Sequence, residues 1–172
     1  MSTGSHHAHN NPKNTRREAR ELVLRMLYQL DSGKQTKSDV IDEAFSQSHL
    51  EGNNRAFATD IINGTLDNIA EIDKRLSCLT EDWAADRQAV VDRNVLRLGA
   101  YEILYRPDSP VAAIVNEAVE LAKKYSTAES GRFVNGVLGA LAKAPDITRN
   151  SSADAAQDNA DVQPPVPIEG GP

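Results

Sequence analysis

The apolar residues of this chain recur every three or four positions and nowhere every second one, and that period most narrows what it can fold into. In the segment after Thr15, Ala19, Leu22, Val23, Met26, Leu27 and Leu30 fall at i, i+3, i+4, i+7, i+8 and i+11. At about 100° per residue they make one stripe along an α-helix. Thr15-Arg16-Arg17-Glu18 fits a capping box for its start, and Ser32-Gly33 marks its end. Ser38 is read as the cap of a short second helix carrying Val40, Ile41, Ala44 and Phe45.

The same period continues down the chain. Phe57, Ile61, Leu66, Ile69, Ile72 and Leu76 predict a third helix from about Asn54 to Ser77, despite Gly64. Thr80-Glu81-Asp82-Trp83 reads as a further helix start, with acids near the positive end of the dipole. From Ala89 to Arg106 apolar residues cover more than half the helix circumference, which predicts the central, most buried helix. Arg106-Pro107-Asp108-Ser109-Pro110 breaks it, with Pro110 in the first turn of the next helix, whose inner face runs from Val111 to Tyr125. A last helix from about Glu129 turns Val134, Val137, Leu138 and Leu141 inward. The expectation is an all-α fold of about seven helices, with residues 1–12 a disordered leader, 13–144 the helical domain and 145–172 a disordered acidic tail. At 40% hydrophobic and 5% aromatic residues, the composition suits a helical core better than a sandwich or barrel.

Several classes of function are disfavoured. No apolar run reaches the roughly 18 residues needed to span a bilayer, and the polar N-terminus lacks the apolar segment of a secretory signal. The single cysteine, Cys78, has no internal partner. Together these predict a cytoplasmic protein. No phosphate-cradling glycine motif, CxxC or HExxH occurs. His6, His7 and His9 lie in the leader, where a flexible segment competes with a metal-binding reading, and His49 alone remains for acid–base chemistry. The chain is expected to be neither an enzyme nor a cofactor binder.

The net charge of −6 argues at first against nucleic acid, but its distribution does not. Lys13 to Arg25 carries five bases (Lys13, Arg16, Arg17, Arg20, Arg25) against two acids (Glu18, Glu21), a local +3. Pro145 to Pro172 carries five acids and one base, a local −4. With a Debye length of roughly 8 Å at physiological salt, local charge is the better guide. Lys13, Arg16, Arg17 and Arg20 stand at i, i+3, i+4 and i+7, a stripe about 100° round from the apolar one. Guanidinium groups so placed suit bidentate contacts to phosphates. The competing reading is a solvated helix start whose arginines pair with neighbouring acids. A second candidate is Glu129-Ser130-Gly131-Arg132-Phe133. Phe133 lies about 90° from the centre of its helix's apolar stripe, as a half-exposed ring for base stacking or as a boundary core residue.

Four segments, in order and register over about residues 15–144, resemble one family. Arg16-Arg17-Glu18-Ala19-Arg20-Glu21 with Met26-Leu27-Tyr28 is similar to the opening helix of the NusB family. Val91-Asp92-Arg93-Asn94-Val95-Leu96-Arg97-Leu98-Gly99-Ala100-Tyr101-Glu102 resembles its VDRxxLRLAxYE segment. Val115-Asn116-Glu117-Ala118-Val119-Glu120-Leu121-Ala122-Lys123 resembles INEAVELAK, and Phe133-Val134-Asn135-Gly136-Val137-Leu138 matches FVNGVL.

The resemblance implies two packed helical bundles and binding of single-stranded boxA RNA together with the small-subunit ribosomal protein NusE. The complex then acts in the RNA polymerase antitermination complex, notably in ribosomal RNA operons. By the same carry-over, RNA contacts would come from Arg16, Arg17 and Arg20 on the first helix and Arg132 with Phe133 on the last, with Glu129 bordering them. Asp92 falls at the ribosomal-protein interface, with Glu102 as a further candidate. Asn116, Glu117 and Asn135 are expected to fix helix packing. The same domain also occurs fused to RNA methyltransferases, but the 28 residues after Ala144 are too few for a cofactor-binding domain. The alternative is a helical interaction scaffold or homodimer without an RNA role. The tail is a candidate competitor of RNA for the basic helix.

Overall fold

The computed structural model describes residues 14–80 and 89–147. The readings placed on the leader, on Lys13, on the helix start at Glu81-Asp82-Trp83 and on the acidic tail from residue 148 lie outside them. Seven α-helices and no strand occur among the described residues: α1 Arg16–Asp31, α2 Lys37–Ser46, α3 Gly52–Asp67, α4 Ile69–Ser77, α5 Val90–Tyr105, α6 Val111–Tyr125 and α7 Ala128–Ala142. None is long and apolar enough to cross a membrane.

The start of α1 forms as its sequence dictates. The Thr15 hydroxyl accepts from the Glu18 amide and the Glu18 carboxylate accepts from the Thr15 amide, each at 3.2 Å, closing the capping box. Asn14 ties this end to the start of α3, its carbonyl accepting from Asn54 Nδ2 at 2.9 Å. The cap of α2 is Thr36 rather than Ser38, because the Thr36 hydroxyl accepts from the Asp39 amide, and Ser38 lies inside the first turn. Thr127 plays the same part for α7, accepting from the Ser130 amide at 3.0 Å.

The third helix expected over Asn54–Ser77 is divided. At Asn68 the backbone leaves the helical region (φ −111°, ψ 14°), and both the amide and the side-chain Nδ2 donate to the Gly64 carbonyl. A short amide side chain that competes for helix carbonyls breaks the ladder where an apolar pattern alone runs straight through. Gly64 has its own cause. A Cβ there would lie 2.1 Å from the Tyr101 ring, so α3 and α5 pack across the missing side chain.

Helix α5 is the axis of the molecule. Every residue from Asn94 to Ile103 is buried, and α1, α3, α4, α6 and α7 all pack against it. α1, α2 and α3 gather on one side and α6 with α7 on the other, two bundles sharing one continuous core that includes Met26, Ile61, Leu96, Leu98, Ile114 and Leu138. Several polar residues of α5 are paired inside this packing. Asp31, at the end of α1, accepts from Arg93 (2.9 Å) and Asn94 (2.8 Å), and Arg97 makes a two-bond clasp on Asp73 of α4 at 2.7–2.8 Å. The domain also runs slightly past Ala144. Asp146 pairs with Arg75 of α4 and Ile147 packs on the core, so the expected boundary at residue 145 shifts to the end of the described segment.

Candidate functional site

The arginines of the α1 start divide by burial. Arg16 is exposed, makes no ion pair among the described residues, and holds its guanidinium 4.7 Å from the centre of the Phe57 ring. Arg17 is exposed too, but its fork closes on Glu117 of α6 at 2.7 and 2.9 Å. Hydrogen bonding from Arg17 is the main reason the Glu117 carboxyl is held below its usual range. Glu117 thus fixes packing as expected, whereas Asn116 and Asn135 are exposed and fix none.

Arg20 overturns the idea of a four-residue surface stripe. It is 6% exposed and makes two 2.7 Å bonds to Glu102 of α5, which is fully buried. Arg20 therefore cannot reach a phosphate at the surface, and Glu102 cannot serve as a partner contact, because each is the interior counter-ion of the other. The signal was present in the sequence. Leu24 and Leu27 share Arg20's row at i+4 and i+7, both are buried, and the stripe beginning at Ala19 passes over Leu24.

The acids of α1 are occupied as well. Glu18 serves the cap, and Glu21 accepts from Lys124 Nζ at 2.7 Å and from the Tyr125 hydroxyl at 2.9 Å, both from α6. Burial, then this acceptor, pushes the Tyr125 phenol up.

A residue that motif reading passed over joins the α1 group. Arg106, at the end of α5, places its guanidinium 5.3 Å from the Phe57 centroid and pairs with Asp60 and Asp108. Its fork holds the Asp108 carboxyl below its usual range. A search limited to basic residues on one helix misses it, because only the fold brings the end of α5 beside the start of α1.

On α7, Glu129, Arg132 and Phe133 are exposed, and neither Glu129 nor Arg132 makes an ion pair among the described residues. Phe133 leaves 38% of its surface in solvent, which decides for an exposed ring over a core one. A turn farther on, Gly136 faces open space. Asp92 is drawn to this same end: its Oδ2 accepts from the Ser130 hydroxyl at 2.8 Å, and Ser130 contacts the hydroxyls of Ser126 and Thr127. The other Asp92 oxygen is buried with no hydrogen-bond partner. Helix α6 lies between the two groups. Its Glu117 and Lys124 hold α1, and its Val119 and Lys123 lie against Gly131 of α7.

The profile of the NusB family matches residues 17–143 of this sequence, across both groups. The chain belongs to the NusB family. It is 45% identical over 131 residues to the transcription antitermination protein NusB of Elusimicrobium minutum, a match covering 74% of this chain and 93% of that protein. It is 40% identical over 149 residues to that of Thermodesulfovibrio yellowstonii, covering 81% and 98%. Among solved structures, NusB of T. maritima superimposes with a TM-score of 0.71 at 36% identity, over 77% of this chain and 93% of that one. A chain from a crystal structure of antitermination factors NusB and NusE in complex with double-stranded RNA superimposes with a TM-score of 0.68 at 28% identity, over 75% and 96%. These NusB relatives and neighbours match the fold derived above over nearly their whole length.

Proposed function

We propose that this protein is an RNA-binding transcription antitermination factor. It binds boxA RNA together with the ribosomal protein NusE and acts on RNA polymerase in the cytoplasm, notably in ribosomal RNA operons. The observation that carries this reading is the set of exposed groups without an ion pair, among the described residues, at the family's RNA positions. Arg16 and Arg132 make no ion pair among the described residues, and the Phe133 ring is 38% exposed on the same helix as Arg132. Guanidiniums supply the phosphate contacts and an exposed ring supplies a stacking surface for an unpaired base. The sharing of a fold with a NusB chain crystallised with NusE and RNA supports the same assignment.

The role is binding, not catalysis. Arg16 and Arg17 contact RNA from α1, with Lys13 ahead of them, and Arg132 and Phe133 contact it from α7, bordered by Glu129. Arg20 holds the first helix in place through Glu102. Asp92 serves the ribosomal partner from the α5 start, where its carboxylate is held by the Ser130 hydroxyl.

Two measurements test the reading. Fluorescence anisotropy of a labelled boxA oligonucleotide should show weak binding to the full chain alone, and binding at least tenfold tighter once NusE is present. No gain on adding NusE overturns the reading. Light scattering should show RNA and NusE assembling on the chain; a stable homodimer indifferent to both would favour the scaffold alternative.

A further inference from the structure

Three guanidiniums surround one aromatic ring. The Cζ atoms of Arg16, Arg20 and Arg106 lie 4.7, 5.1 and 5.3 Å from the Phe57 centroid, so no two of them are more than about 10 Å apart. Cations gathered this closely in a chain of net charge −6 need anions. Arg20 has its anion in the interior, through two 2.7 Å bonds to buried Glu102. Arg106 is held differently. Its bonds to Asp108 are 3.1 and 3.2 Å long, and the side chains of Asp108 and Asp60 are 57% and 46% exposed. Arg16 makes no ion pair among the described residues, though its charge adds to the pull on the Asp108 carboxylate.

We propose that Arg106 is a further phosphate-binding residue, whose guanidinium RNA takes over from Asp108 while a neighbouring phosphate is held by Arg16. The inference rests on the RNA reading of α1 given above and adds a residue from another helix to it. The Arg106 side chain is 20% exposed and keeps its bond to Asp60, but its longer pair with the 57%-exposed Asp108 is readily exchanged for a charge-assisted bond to phosphate, because the carboxylate it releases returns to water. The buried Arg20–Glu102 pair cannot be exchanged in that way. Phe57, 4% exposed, cannot stack a base itself; its face holds the guanidiniums in place. Asp108 thus competes with RNA for the same cation.

The test is salt-dependent binding of a labelled single-stranded boxA oligonucleotide to full-length variants. Arg106→Gln is expected to weaken binding about three- to tenfold at low salt and to flatten the log–log salt slope by about 0.7, the loss of one phosphate contact. Asp108→Asn is expected to tighten binding several-fold, and to do nothing in the Arg106→Gln background. Asp67→Asn, at another exposed acid, controls for net charge. If Asp108→Asn tightens binding no more than Asp67→Asn, the proposal fails, and this arm holds even where Arg106→Gln disturbs folding. If Arg106→Gln binds as the parent does while Arg16→Ala is weakened, the proposal fails and the RNA reading stands. If Arg16→Ala is also unchanged, the RNA reading falls and takes the proposal with it.

Discussion

The Arg20–Glu102 pair shows how one residue can carry a surface motif and an interior role. Two charges are removed from water, and each is tolerable only because the other is there with two short bonds. Removing one partner strands the other. Arg20→Ala or Glu102→Ala should each cost about 3–5 kcal/mol, read as a fall in the urea midpoint. Replacing both, as Arg20→Met with Glu102→Leu, should recover most of that loss. A single variant within 1 kcal/mol of the parent would show the pair to be more hydrated than its burial indicates. The charge stripe of α1 was legible from spacing, and Leu24 and Leu27 on Arg20's row hinted at its inward turn, but its counter-ion was not legible. Burial of an arginine depends on what faces it, and Glu102 lies 82 residues away.

At the scale of helices, two glycines of similar sequence context have opposite meanings. Gly64 lets the Tyr101 ring rest on the α3 backbone, whereas Gly136 faces open space on α7. Gly64→Ala must displace a buried ring and should destabilise by about 1–3 kcal/mol. Gly136→Ala meets nothing and should stabilise by roughly 0.5–1 kcal/mol through helix propensity. Thermal melts of the two variants check both signs. A stabilised Gly136→Ala that binds RNA less well would place the open glycine at the contact surface. The helices themselves were readable from apolar period, and the capping box of α1 from four letters. The break at Asn68 was not, because it depends on a side chain choosing a carbonyl, a competition invisible to hydrophobic pattern. The caps at Thr36 and Thr127 were missed for a similar reason: nearby serine and glutamate offer equally plausible starts.

Across the whole molecule, the two bundles are tied by α5 inside and by polar clips outside, of which Arg17–Glu117 joins α1 to α6. Glu117 has a folded-state pKa below its unfolded one, because Arg17 bonds to the charged form. Its stabilisation is therefore present above the unfolded pKa and is lost as pH falls through the folded one. Glu117→Gln should cost up to about 1 kcal/mol at neutral pH, given that Arg17 is largely solvated, and the deficit should be smaller at an acid pH below the unfolded carboxyl value of about 4.3. Urea midpoints at the two pH values check this, and a deficit that persists undiminished in acid contradicts it. Helical class and central helix were visible in the sequence because they follow from apolar area on each helix. The meeting of Arg16 with Arg106 was not, since it exists only once α1 and α5 cross.

The central claim, that the exposed α1 start grips RNA, is tested most directly by comparing Arg16→Ala with Arg25→Ala. Both residues are exposed, neither makes an ion pair among the described residues, and both changes remove one positive charge. Nine positions apart, they face about 180° from each other on the helix. With NusE present and salt fixed, Arg16→Ala should weaken boxA binding several-fold and Arg25→Ala should leave it nearly unchanged. Equal losses would reduce the contribution of α1 to bulk charge, and no loss from Arg16→Ala would contradict the account outright.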